Sequence, residues 1–314
     1  MKKLNIKILI AVLVVLTGVF VLSRVFRSPG LESNLKKSLV DIDTAIVTEV
    51  RILPAKDRAN EIKLVKEGNN WNVATAKQKS LSDVGSVKSM LGMMQNLKIQ
   101  RLASRKKDNW ETYNVGDKGT YVSVFAGSKK VADLTIGKTG VAQGGEGIRT
   151  VFTYVRLSNE NEVYSVDGFI ESHFNRDFND WRNKAFLRVK SDLITKLTFM
   201  YPADSGFVLS KKDSLWFIGN EKADLAKVQR FTSPIAFKNL IDFAEGFVAP
   251  GAPPFTLTIE SQNGILASVE AWKDGDKWIL KSTEQNGVYF SAVNSLVKDF
   301  LVGKEYFLLT VPKK

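Results

Sequence analysis

The 314-residue chain has no cysteine and only one histidine, His173. The first absence excludes disulfides, thiol nucleophiles, zinc–thiolate sites and a lipid-modified cysteine anchor. With 44% hydrophobic residues the chain is large enough to be held by its core alone. The second absence leaves Ser–His–Asp catalysis or a histidine metal site a single location. Glu171, Asp177 and Asp180 lie near His173 in sequence, but a histidine at a helix end making one hydrogen bond accounts for the pattern. Beyond Arg101, Arg105, Lys106 and Lys107 a dense basic block is also missing. Lys and Arg number 45 against 33 Asp and Glu, for a net charge of +12. Five of those cations and no acid fall in the first thirty residues, so the rest carries +7. That excess fits an evenly mixed, solvated surface, and it leaves open an anionic membrane surface or an acidic partner.

What the amino terminus does contain is an uncharged run of sixteen residues from Ile8 to Ser23, preceded by Met1-Lys-Lys. As a helix it covers about 24 Å, short of a hydrocarbon core of about 30 Å. Leu4 to Phe26 spans the core if Lys7 and Arg24 snorkel. The run Leu22-Ser-Arg-Val-Phe-Arg-Ser-Pro lacks the small residues of a signal-peptidase site, so an uncleaved anchor is expected over 1–27, buried through Ile8, Leu13, Leu16, Phe20 and Leu22. Flanking cations nearly balance across the run. A short amino tail before such a run behaves as a signal anchor. The expected location is therefore the inner (cytoplasmic) membrane, single-pass, with the large domain outside the cytoplasm.

Beyond a linker at 28–45 the chain reads twice over. The first copy, 46–187, opens with Val47-Thr-Glu-Val-Arg-Ile-Leu, which alternates as a half-buried strand does. A second strand at Glu61, a turn at Glu67-Gly-Asn-Asn and Trp71-Asn-Val follow. Val87, Met90, Leu91, Met94 and Leu97 have helical spacing, and further strands begin at Tyr121, Val131, Phe152 and Val163. Phe169 to Phe174 is a short closing helix. The second copy, 188–314, repeats the order: Ile194-Thr-Lys-Leu-Thr-Phe, a strand–turn–Trp216 unit, a helix over Ile235 to Phe247, then strands at Phe255, Ile265, Trp278 and Val288 and a helix at Val293. Trp71 and Trp216 lie 145 positions apart, whereas Val163 and Val288 lie 125 apart, because the second copy lacks a Gly-rich insertion. The expected architecture is α+β: a transmembrane helix, then two similar, mainly antiparallel β-meander-plus-helix repeats.

These landmarks resemble one bacterial family, the domain of unknown function numbered 4340. The likeness rests on the strand–turn–Trp71 opening, the Met-rich helix followed by Arg101-Leu-Ala-Ser, Leu134-Thr-Ile-Gly137, Thr153-Tyr-Val-Arg156 leading to Val163-Tyr164, and Trp181-Arg-Asn-Lys-Ala-Phe-Leu187. It extends over roughly residues 45 to 300. The family has no assigned activity. The resemblance implies a single-span envelope protein associated with gliding-motility-type ABC transporters, hence transporter subunits as partners.

No catalytic constellation, metal site or cofactor site emerges from the residues. Ile136-Gly-Lys-Thr139 is like the tail of a phosphate-binding loop, but the pattern needs glycine where Ala132 stands, and glycines rather than a helix follow. A hairpin loop is the expected reading, with Gly140, Gly144 and Gly145 as possible partner contacts. Arg101, Arg105, Lys106 and Lys107 follow the Met-rich helix. They read as cations at a helix C-terminus, with a lipid- or partner-facing patch as the sharper alternative. Met90 and Met94 fit a core stripe. Trp110, Trp181, Trp272 and Trp278 have basic neighbours, but an extracytoplasmic location argues against nucleic acid. The expected role is therefore a non-enzymatic accessory or assembly module of an ABC-type transporter. An envelope-polymer enzyme using carboxylates such as Asp177 or Asp180 in a cleft between the repeats is the alternative, as is a plain spacer.

Overall fold

A computed structural model describes residues 12, 13, 15–19, 38–143 and 149–309. Period-two alternation generates its first sheet. Strands β1 (Glu49–Leu53), β2 (Ile62–Glu67), β3 (Asn70–Ala74), β4 (Lys79–Leu81), β5 (Ile99–Ser104), β6 (Thr120–Ala126), β7 (Lys129–Gln143), β8 (Arg149–Leu157) and β9 (Val163–Asp167) pair in the order β4-β3-β2-β1-β6-β7-β8-β9-β5. All neighbours are antiparallel. Val50 sits opposite Val124 and Ile52 opposite Val122, so the apolar residues of both strands share one face, and all four are fully buried. Against this inner face packs the helix Val84–Gln95, through Val87, Met90, Leu91 and Met94. Its start is set by Asp83, whose carboxylate accepts from the Ser86 N–H at 2.6 Å.

The second sheet is built the same way from β10 to β19. β10 (Ala185–Arg188) pairs with β15 (Phe237–Asn239) as a separate two-stranded ribbon. The rest, β11 (Lys196–Met200), β12 (Phe207–Lys212), β13 (Leu215–Ile218), β14 (Glu221–Lys222), β16 (Phe255–Ser261), β17 (Gly264–Asp274), β18 (Lys277–Ser282) and β19 (Phe290–Ala292), run in the order β14-β13-β12-β11-β16-β17-β18-β19. The helix Leu225–Ala236, capped by Asp224, buries Val228, Phe231 and Ile235 against it. The chain is thus mostly antiparallel sheet with some helix, in two compact units, Met1–Arg182 and Asn183–Lys314.

The likeness of the two units extends to single hydrogen bonds. The Ser82 N–H donates to Trp71 O in the first, and the Ala223 N–H to Trp216 O in the second, both at 2.8 Å. The Asp83 N–H donates to Trp181 O, and the Asp224 N–H to Phe307 O, again both at 2.8 Å. Each unit thus ties its helix start to its own tryptophan strand on one side and to its own closing segment on the other. Trp181 and Phe307 are both fully buried. This explains the Trp181-Arg182 signature: it is the clasp of the first unit. Arg182 Nε donates to Ser80 Oγ at 3.2 Å.

Several boundaries differ from expectation. Leu39, Val40 and Ile42 are buried in the first core, so the segment expected as linker up to residue 45 already packs from there. Phe186 and Leu187 belong to the second core. The helix expected over Ile235 to Phe247 is instead Leu225–Ala236; its apolar spacing continued past Ala236 into residues that pair as β15. Among the described residues no helix is long and apolar enough to cross a membrane. Of the expected anchor, Ile8, Phe20 and Leu22 lie outside the described residues; Leu13 and Leu16 are helical and exposed.

Candidate functional site

Each sheet has an outer face, opposite its long helix, and each unit sends the chain ahead of β6 or β16 across it. In the first unit this cover is tight. The short helix Trp110–Tyr113 lies on β7 and β8, with Tyr113 4.5 Å from Tyr154 and Val115 fully buried. Its pin is Arg156, a guanidinium only 4% exposed. Arg156 stacks 3.8 Å from the Trp110 ring, donates through Nε to Val115 O at 3.1 Å and through Nη2 to Thr135 Oγ1 at 3.2 Å. Nη1 donates to Leu157 O at 3.1 Å and to Ser158 O and Glu160 O at 3.4 Å. Burial lowers its pKa from the ordinary arginine value, and Tyr121 and Asp133 oppose that shift. An arginine spent on carbonyls and one hydroxyl is a structural clamp.

In the second unit the same stretch is open. Residues 242–244 lie along β19, with the Ala244 N–H donating to Tyr289 O and the Ser291 N–H to Asp242 O, in the place β5 takes beside β9. The chain then passes Gly246, Pro250, Gly251 and Pro254 without forming a helix. Phe247 packs on Trp272 and Tyr289, at 5.9 and 5.2 Å, and the Trp272 indole N–H donates to Gly251 O at 3.3 Å. Trp272 and Ile279 are opposite one another on the outer face of β17 and β18. Between this loop and those strands runs a groove of about 1010 Å³, with Phe243, Phe247, Pro254 and Ile279 among its apolar walls and Lys273, Asp274 and Lys277 at one end. Val248, 84% exposed, stands at its rim. Among the described residues no three His, Asp or Glu side chains converge as metal ligands.

The residues singled out from sequence lie in the first unit. Gly140 faces Phe152 across β7 and β8; a Cβ on it would sit 2.5 Å from the Phe152 ring, so the glycine is what lets that ring lie over its neighbour strand. Arg101 stacks on the same ring from 5.5 Å. The structure therefore brings Gly140 and Arg101 together through Phe152. Gly144 and Gly145 fall outside the described residues. Arg105 and Lys106 are exposed just past β5. The helix ends at Gln95 with no basic residue in its last turn, which overturns the helix-terminus explanation of these cations: Arg101 is a strand residue. Gly137 belongs to β7, pressed against the Tyr113 carbonyl, and forms no phosphate cradle. His173 Nδ1 lies 3.1 Å from Phe169 O in a four-residue helix. Asp177 and Asp180 form a capping box, and both lie near Lys56 Nζ, at 2.9 and 3.9 Å.

A family model described as Domain of unknown function (DUF4340) matches residues 71–245. The chain belongs to this family. The matched stretch begins at the tryptophan of β3, contains the Trp181-Arg182 clasp, and ends at Glu245 beside the groove. No curated protein and no solved structure matches the chain. Membership in this family therefore brings no activity with it, and the functional reading rests on geometry.

The groove is the feature that sequence reasoning missed. The signal was present: Val248-Ala-Pro-Gly-Ala-Pro-Pro254 is a run of breakers that no helix or strand continues through. Extending a helix to Phe247 concealed it.

Proposed function

We propose that this protein is a non-enzymatic binding module, an internal duplication of one α+β repeat, held at the inner membrane by a single amino-terminal span with both units outside the cytoplasm. Its partners are subunits of an ABC-type transporter, in line with the family resemblance. The observation that carries the binding reading is the contrast between the two covers. One face is sealed by an arginine clamp, while its counterpart is an open, apolar-walled groove with Val248 at the rim. Exposed apolar residues around a concave surface mark contact sites for other proteins. The enzymatic alternative named Asp177 and Asp180, which cap a four-residue helix and lie 2.9 and 3.9 Å from Lys56 Nζ.

The test is affinity recovery of the full-length protein from gently solubilised membranes, with partners identified by mass spectrometry. Transporter subunits should be recovered in stoichiometric amount and lost with Val248→Asp or Phe247→Ala. Recovery of the protein alone, under conditions that keep other membrane complexes intact, would sink the transporter reading. Recovery unaffected by both substitutions would move the contact away from the groove.

A further inference from the structure

β7 outruns its neighbour. Its first half, to Ile136, pairs with β6, whereas Thr139 to Gln143 pair only with β8. The result is a two-stranded ribbon beyond the end of the sheet. At its outer end Val141 and Val151 face one another across the ladder, 61% and 39% exposed. The Gly168 N–H donates to Val151 O, and Phe169, the next residue, is 52% exposed. Lys138 and Arg149 are exposed on the two strands of the ribbon. Arg101, stacked on Phe152 at the ribbon's base, adds a third cation, and Asp167 nearby accepts a bond from Gln100. Among the described residues none of these three cations is within salt-bridge distance of a carboxylate.

Ser38, the first described residue after 15–19, bridges Lys98, one residue before β5. Lys98 O accepts from the Asp167 N–H, and Asp167 is opposite Phe152, so this point lies at the same end of the sheet as the ribbon. Ten residues, 28–37, separate it from the end of the proposed anchor, a reach of at most about 35 Å.

We propose that the β7–β8 ribbon is a second membrane contact, placing Val141, Val151 and Phe169 in the interface of an anionic lipid surface while Lys138, Arg149 and Arg101 meet its headgroups. This rests on the anchor reading above. Arg149 shares the face of Val141 and Val151, and Arg101 lies with Phe152 on the other face, so a ribbon entering end-on presents apolar side chains flanked by cations, the composition that binds such surfaces. The ribbon emerges from the end of the sheet where the chain joins it, which sets it within tether range of the bilayer. Gly140 has a role in this: it lets Phe152 brace the ribbon's base.

The absence of cysteine makes the experiment clean, because a single introduced thiol is the only labelling site. Full-length protein carrying an environment-sensitive fluorophore at Val141→Cys, Ser128→Cys or Leu16→Cys is reconstituted into phosphatidylcholine vesicles with and without phosphatidylglycerol, both containing quencher lipids. Ser128 lies in the β6–β7 turn, at the far end of β7. The label at 141 should be quenched and blue-shifted in the anionic vesicles only, and the label at 128 should stay aqueous. Lys138→Ala and Arg149→Ala should each weaken the 141 signal about fivefold, and added salt should weaken it further. Quenching at 16 with equal, aqueous signals at 141 and 128 overturns the ribbon contact and leaves the anchor standing. No quenching at 16 removes the anchor; quenching at 141 in that case still supports lipid binding by the ribbon, and its absence refutes it. A 141 signal that appears only when native membrane proteins are added assigns the ribbon to a protein partner and overturns the lipid proposal.

Discussion

Replacing Arg156 with methionine tests whether the cover of the first unit is held by one side chain. Methionine retains length and apolar bulk but has no donors. Two acceptors are then stranded away from water, the Val115 carbonyl and the Thr135 hydroxyl, both of fully buried residues. Leaving each unpaired costs about 1–3 kcal/mol. The carbonyls of Leu157, Ser158 and Glu160 lie at the β8–β9 turn, where water can replace the lost donor. Loss of the stack on Trp110 adds about 1 kcal/mol. Removing a buried charge that has no ion-pair partner recovers part of this. The expected net loss is about 3–5 kcal/mol, confined to the first unit. Arg156→Lys should fall between, since one ammonium cannot reproduce a planar fork reaching Val115 and Thr135 together. Because two units need not unfold together, hydrogen exchange read peptide by peptide is the assay. Peptides spanning 105–118 and β8 should lose protection while those of the second unit do not. Unchanged protection at 105–118 would refute the clamp, and equal loss in both units would show that Arg156 supports something larger.

Three further outcomes follow from local geometry. Gly92 lies within the helix Val84–Gln95 with nothing near its missing Cβ, so Gly92→Ala should stabilise the first unit by about 0.5–1 kcal/mol; Gly137→Ala, whose Cβ would strike the Tyr113 carbonyl and lie 2.7 Å from Val115, should destabilise it by about 2 kcal/mol or more, both read by denaturant midpoints. Asp83→Ala and Asp224→Ala each remove a helix cap and should each cost about 1 kcal/mol, in their own unit only, by the same hydrogen-exchange assay. The Tyr164 phenol is pushed up to about 12 by burial and then by Glu160, so the folded state keeps a proton that the unfolded chain loses near 10. Its contribution is therefore complete below pH 10 and lost as pH rises toward 12; ultraviolet titration should show a late-ionising tyrosine missing in Tyr164→Phe, and identical curves would refute this.

Strands were legible wherever one face is buried and the other wet. Val50 and Ile52 alternate with Arg51, Val122 and Val124 with Ser123, and each pattern became a strand. Trp71 and Trp216 were sound landmarks because both sit on the strand that ties down a helix start. Legibility failed where a segment pairs without alternation. β5, Ile-Gln-Arg-Leu-Ala-Ser, is half-buried at nearly every position, so its period is hidden and its arginine was read as a helix-end cation. It failed again where two periods join. Ala236, Leu240, Phe243 and Phe247 keep the i, i+4, i+7, i+11 spacing of a helix through a real helix end, a two-stranded ribbon and a loop. Pro234, placed inside the helix, gave no stop signal at the true end. The candidate site was less legible still: the breakers of 248–254 mark a loop, but not how much of the strands beneath it that loop covers.

The two covers show why one outer face closes and the other stays open. Both units need the same internal ties, since a sheet with one long helix leaves its outer face bare unless the chain ahead of β6 or β16 crosses it. In the first unit the crossing contains Trp110 and Tyr113, and Arg156 beneath offers five donors, so the face closes with its polar groups satisfied. In the second unit the crossing contains prolines and glycines and forms no helical turn; it buries Trp272 and Ile279, each 4% exposed, and leaves Phe243, Phe247 and Val248 partly exposed along the groove, none of which asks for a side-chain hydrogen bond. An apolar face can be left partly uncovered without stranding a polar group; a face built around a buried arginine cannot. That difference makes the second unit the one free to keep a groove, and it predicts that grafting a Trp110–Tyr113-like turn into residues 246–252 would close the groove and abolish partner recovery while leaving the second core folded. Retained recovery with a closed groove would place the contact elsewhere.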